Sequence, residues 1–259
     1  MSTWNIKELS KAPPMKAPIL VEGLPGIGNV GKVAVDFIID EIRAKKIAEF
    51  TSYSLPNSVF VNEENLVEMP AITLYYKKVN NRDVLLLGGD IQPVDYVSCY
   101  TFSDLVLDIF QRYKGKEIVT LGGIALRSIP KAPRVFCTGN NKDAVQGYLK
   151  GTGVSNELYG LVGPINGVSG VLLGLAARRQ ISAVSLLAET YGHPLYLGVA
   201  GAREIIRVLD KKLKLNLDLD SLDKELEEVQ KELGTRAVHG HAAVRKIATR
   251  MKGDTNYIG

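Results

Sequence analysis

The chain has 259 residues, 46% of them hydrophobic and 23% charged, with 32 Lys and Arg against 28 Asp and Glu, and it carries 2 cysteines. That length buries a core without disulfide or metal staples, and the composition excludes disordered, fibrous and disulfide-framework chains. Residues 1–16 lack an apolar signal core, no apolar run is long enough to span a bilayer, and the Lys and Arg are spread along the chain, so a cytoplasmic protein that binds neither membrane nor nucleic acid is expected.

After a Pro-rich lead, residues 17–22 read as a short buried strand, residues 23–28 as a turn and residues 29–45 as a helix. The helix places Val30, Val33, Ala34, Phe37 and Ile38 on one stripe, the spacing of a face packed on a sheet. Residues 47–54 form the next strand, and residues 71–78 and 83–87 form a hairpin turning at Asn80-Asn81. A helix then starts near Pro93 and runs to about Tyr113. It is followed by a strand over 117–121, a helix over 168–179, a strand over 181–187 and a helix over 202–213.

Strands of apolar residues alternating with helices predict a three-layer α/β fold, in which a mostly parallel sheet carries helices on both faces. Gly23, Gly88-Gly89, Gly122-Gly123 and Gly163 each follow an apolar run. They read as tight turns at strand ends, where the ligand crevices of open α/β sheets also lie. Beyond Lys214 the character changes. Leu222, Leu226, Val229 and Leu233 recur at spacings of 4, 3 and 4, a narrow seam suited to another helix, in an acidic stretch followed by a basic one. The chain is accordingly read as an α/β core over 1–215 and a helical extension with a C-terminal tail over 216–259.

The sharpest local motif is Gly26-Ile-Gly28-Asn-Val-Gly31, a G-x-G-x-x-G between strand and helix, where a dinucleotide pyrophosphate meets backbone N–H groups. Gly26, Gly28, Gly31 and Lys32 also approach a phosphate-binding loop, but Val33 stands where a hydroxyl would hold magnesium. In this alternative, a nucleotide-binding enzyme or sensor, Glu49 or Asp90 would take the ribose hydroxyl. Groups for other chemistry are sparse. His239 and His241 lack further ligands at metal spacing, Gly167-Val-Ser169-Gly170 falls short of a nucleophile elbow, and Cys99 and Cys137 read as buried hydrophobes. No catalytic residue, metal or cofactor is expected.

Five blocks carry a wider resemblance. They are Leu20-Val-Glu-Gly-Leu-Pro-Gly-Ile-Gly-Asn-Val-Gly-Lys-Val-Ala34, Leu86-Leu-Gly-Gly-Asp-Ile-Gln-Pro93, Thr120-Leu-Gly-Gly123, Gly163-Pro-Ile-Asn-Gly-Val-Ser-Gly170 and Leu186-Leu-Ala-Glu-Thr190. In this order, across about residues 17–215, the chain resembles the archaeal branch of the proteasome assembly chaperone family. The resemblance implies a fold similar to nucleoside phosphorylases used as a scaffold without catalysis. It also implies a homo-oligomer, with or without a second related protein, that engages the core proteasome α ring or its assembly intermediates. Gly26, Gly28 and Gly31 then serve to turn the loop and seat the helix near the sheet.

Some members of that family dock through a C-terminal hydrophobic residue, Tyr and one further residue. Here the end reads Asn256-Tyr257-Ile258-Gly259, with Tyr257 third from the end and Asn256 in place of the hydrophobic residue. One extra residue displaces ring or carboxylate by up to about 3.5 Å. Two dispositions are open: docking into the proteasome, or packing of Tyr257 and Ile258 onto the protein or a neighbouring subunit. Leu222, Leu226, Val229 and Leu233 are the expected oligomer contact.

Overall fold

The computed structural model describes residues 4–62, 64–158, 160, 163–194, 196–219 and 224. In chain order the elements are β1 (Asn5–Glu8), β2 (Ile19–Gly23), α1 (Val30–Glu41), β3 (Lys45–Thr51), β4 (Phe60–Val61), β5 (Val67–Glu68), β6 (Ile72–Val79) and β7 (Arg82–Gly89). They continue with α2 (Tyr96–Arg112), β8 (Glu117–Leu126), β9 (Val135–Gly139), α3 (Lys142–Leu149), α4 (Gly167–Arg178), β10 (Ser182–Tyr191) and α5 (Val199–Leu213). Eight strands form one sheet in the order β1-β3-β6-β7-β2-β8-β10-β9, and β4 and β5 pair separately.

The centre of the sheet, β7-β2-β8-β10, is parallel, and the outer strands join antiparallel. Helices cover both faces. Alternate residues of the central strands point to opposite sides: Val21, Val119, Val184 and Leu186 pack with α1, α3 and α5, and Leu20, Leu85, Ile118 and Ala183 pack with α2 and α4. The three-layer α/β fold expected from alternating strands and helices is the one the chain adopts, with antiparallel edges added to the parallel centre.

Local differences from the sequence reading have identifiable causes. The first helix ends at Glu41 instead of reaching Lys45, because Arg43 takes a left-handed φ of 51° and Lys45 already pairs with Tyr76 in the sheet. The β8 strand runs through Gly122 and Gly123 to Leu126, since Leu187, Ala188 and the residues that follow on β10 continue the ladder past those glycines. The hairpin turn falls at Asn80-Asn81, whose φ values of 48° and 63° are those of a two-residue turn matched to strand twist. The strand β1 and the pair β4 and β5 are short and largely exposed, with no apolar run to announce them. Past α5, Leu215 and Leu217 are buried and Leu219 packs on the same cluster.

Two backbone approaches seat α1 on the sheet. A Cβ on Gly31 would lie 2.4 Å from the Leu121 carbonyl oxygen, and one on Gly23 would lie 2.2 Å from the Gly31 carbonyl oxygen. Helical Gly→Ala changes ordinarily stabilise by about 1 kcal/mol, so the sign at Gly31 is diagnostic. Gly31→Ala is expected to destabilise the fold by about 1–3 kcal/mol through overpacking. Gly26→Ala, at a position where a Cβ meets nothing within 4 Å, should stay within about 0.5 kcal/mol of the parent. Urea denaturation of the two variants measures both, and equal midpoints would contradict this account of the helix seat.

Candidate functional site: the crevice at the carboxyl ends of the central strands

The loop between β2 and α1 folds over the ends of β8 and β10. Asn29 donates its N–H to the Gly26 carbonyl at 2.9 Å, and Gly198 donates its N–H to the Gly28 carbonyl at 2.7 Å. Gly28 has a φ of 59°, and a Cβ there would meet the Thr190 side chain at 2.7 Å. Gly26 is extended, with a φ of −160°. Of the three glycines, then, Gly28 carries a left-handed turn, Gly31 a helix–sheet approach, and Gly26 neither.

Lys32 is buried and committed. Its Nζ lies 2.8 Å from Asp36 Oδ2, 3.5 Å from Asp90 Oδ1 and 3.1 Å from the Gly89 carbonyl. Burial disfavours its charge, but Asp36 and Asp90 outweigh that and raise its pKa. The two groups that the sequence offered to a nucleotide, Lys32 and Asp90, therefore face each other. Glu49, on β3, is separated from β2 by β6 and β7, some three strand spacings or about 14 Å away. The structure brings Gly26 and Gly31 to one crevice and leaves Lys32, Asp90 and Glu49 out of it.

That crevice, of about 430 Å³, lies between the loop at Leu24–Ile27, the strand β8 from Leu121 to Ala125, and the segment leading into α4. Gln92 ties its walls together. Its Nε2 donates to the Pro25 carbonyl, and its Oε1 accepts from the Val168 N–H at 3.3 Å, in the first turn of α4. Among the described residues that line it there is no Lys, Arg, His, Asp or Glu; the side-chain polar groups are those of Gln92, Asn166 and Ser169.

One row farther into the sheet, on the same face, lie Glu22, Thr120 and Ser185. They are register partners on β2, β8 and β10, and each has 0% exposure. Glu22 Oε1 accepts from the Leu24 N–H at 3.1 Å. Among the described residues, Glu22 Oε2, Thr120 Oγ1 and Ser185 Oγ have no well-formed hydrogen bond. Burial pushes the Glu22 pKa up to about 7, against smaller opposing effects of the Ser169 hydroxyl and the Leu24 N–H. Sequence reasoning passed over Glu22, although a carboxyl inside the otherwise apolar Ile19–Gly23 strand was a readable signal.

Cys99 and Cys137 are buried free thiols, and burial raises both pKa values, so neither is an activated nucleophile. Among the described residues no group of acidic, His and Cys side chains could hold a metal, and no helix is long and apolar enough to cross a membrane. His239, His241, the Leu222, Leu226, Val229 and Leu233 seam and Asn256, Tyr257, Ile258 and Gly259 lie outside the described residues.

A carboxyl whose pKa is raised on folding keeps its proton in the native state after the unfolded chain has lost it. Glu22 therefore contributes stability that is fully present below its unfolded value and is lost as pH rises through about 7. The swing is on the order of 3 kcal/mol. The stability difference between parent and Glu22→Gln should accordingly fall by that amount between about pH 4 and pH 8 in urea denaturation, and parallel pH profiles would refute the assignment.

Residues 20–236 match the model of the PAC2 family. Among solved structures, Pyrococcus furiosus PbaB, described as an archaeal proteasome activator, is 30% identical with a TM-score of 0.80, covering 91% of this chain and 99% of that one. Pyrococcus furiosus PbaA, described as an archaeal homologue of proteasome-assembly chaperone, shares the fold at 23% identity and a TM-score of 0.72, covering 96% and 98%. MJ1210 of Methanocaldococcus jannaschii, an uncharacterised protein, is 25% identical over 229 residues, which is 88% of this chain and 83% of that protein. With a packed α/β core of matching architecture and a family match over most of its length, the chain belongs to the PAC2 family.

Proposed function

We propose that this protein is a non-enzymatic, cytoplasmic scaffold that forms homo-oligomers and binds the core proteasome α ring or its assembly intermediates. The observation that carries this reading is the likeness to PbaB at 30% identity over 91% of the chain, in a family whose structural neighbours include a proteasome-assembly chaperone homologue. Exposed apolar side chains support a role in protein contacts: Tyr96, Val97 and Tyr100 at the start of α2, and Val67 and Met69 by the β4 and β5 hairpin.

In this reading residues 1–215 are the scaffold proper and residues 216–259 the extension that presents Asn256, Tyr257, Ile258 and Gly259 to the partner. The Leu222, Leu226, Val229 and Leu233 seam joins subunits. Several tails carried on one oligomer raise the effective concentration of each, so weak single contacts add to a useful affinity. No specific observation favours a nucleotide on the glycine-rich loop, since Lys32 is held by Asp36 and Asp90.

Co-sedimentation with an archaeal core proteasome tests the partner, using the full chain and a version ending at Thr255. Binding by the full chain that is lost on truncation assigns contact to the tail; binding retained by both moves it to the folded body; no binding by either overturns the reading. For the seam, replacing Leu226 and Val229 with Asp is expected to lower the native mass measured by light scattering. An unchanged mass in a folded variant would remove the seam from the interface.

A further inference from the structure

We propose that the crevice at the carboxyl ends of the central strands is a binding site for a small, uncharged, planar amide, a carboxamide or lactam, hydrogen-bonded to Ser169 with Glu22 behind it. This site is independent of the proteasome contact and of the glycine-rich loop's phosphate logic.

Size and lining set the class. A crevice of about 430 Å³ falls within the range of small-molecule sites, which are mostly apolar with a few convergent polar groups. Its walls combine glycine backbone with aliphatic side chains: Gly26, Gly122, Gly123, Gly163 and Gly167 line it together with residues such as Leu121 and Ile165. Such walls accommodate a flat molecule. An anion finds no cation among the described lining residues, and a cation finds no carboxylate there. A buried charge without a partner is costly, so the site selects neutral ligands.

The polar groups set the chemistry. Ser169 lines the crevice and acts on the Glu22 carboxyl, so its hydroxyl connects the ligand space with the buried acid. Behind it, three buried oxygen atoms in one row, on Glu22, Thr120 and Ser185, have no well-formed hydrogen bond among the described residues. Unsatisfied buried polar atoms are rare, and each calls for an explanation. A serine hydroxyl carries one donor and two acceptor sites, so it can both give and take a hydrogen bond. An amide edge carries one donor and one acceptor and so matches both. At the rim, the Asn166 side chain makes no cap bond to α4 and supplies a second amide-type group to the ligand's far side.

The test uses the full chain and saturation-transfer NMR with three neutral probes, benzamide, nicotinamide and uracil, beside two charged ones, benzoate and benzamidine. Gly26→Phe fills the crevice from a position whose backbone is extended and where a Cβ meets nothing within 4 Å, so the fold tolerates it. Ser169→Ala removes the hydroxyl. Transfer to the neutral probes is expected, with affinity weakened about tenfold in each variant and little transfer to the charged pair. The proposal is overturned by absence of transfer to all three neutral probes at millimolar concentration, by equal transfer to benzoate, or by binding that Gly26→Phe leaves intact. Thermal unfolding of both variants confirms that they are folded, and Gly26→Phe alone decides the matter should Ser169→Ala fail to fold.

Discussion

The architecture depends on how closely α1 can approach the parallel centre of the sheet. Gly31 rides against the Leu121 carbonyl and Gly23 against the Gly31 carbonyl, at separations that leave no room for a Cβ on either glycine. Interiors pack at crystal-like density, so a contact of this kind fixes a helix axis against its strands with little tolerance. Seated there, Val30, Ala34, Phe37 and Ile38 reach the layer shared with α5. The loop from Leu24 to Asn29 runs across the ends of β8 and β10 and makes one wall of the crevice.

The two faces of the sheet treat charge in different ways. On the α1 side, Lys32 stands between Asp36 and Asp90, so one cation is shared by two carboxylates and ties the end of β7 to the helix. Removing one member of such a cluster leaves a buried charge uncompensated, which makes it a structural clasp with little freedom to bind anything else. On the α2 and α4 side, Glu22 pairs with no cation among the described residues. Its environment is relieved by protonation, and its neighbours Thr120 and Ser185 add hydroxyls of unfilled capacity. The first arrangement is paired in charge and the second holds a lone buried carboxyl, although both sit at the carboxyl ends of neighbouring strands.

The proposed scaffold role and the proposed ligand crevice draw on different residues. Exposed apolar side chains such as Tyr96 and Val97 lie at the start of α2, whereas the crevice is lined by glycines, aliphatic side chains and Gln92, which bridges the Pro25 carbonyl and the Val168 N–H. Gln92 lies only a few residues before the exposed start of α2.

The sequence by itself determined the layered α/β fold, because continuous apolar runs and an apolar stripe of period 3.6 are local properties that survive into any packing of these segments. It also determined the hairpin at Asn80-Asn81, where two residues tolerant of positive φ meet, and it carried enough spaced blocks to indicate the family. Only the tertiary structure decided what the glycine-rich loop does. G-x-G-x-x-G spells the same in a phosphate cradle and in a helix seat, and the difference lies in Leu121, Thr190 and Asp90, which come from distant parts of the chain. The polar row was likewise illegible as a unit: Glu22, Thr120 and Ser185 stand far apart in sequence, and sheet register alone lines them up beneath the crevice.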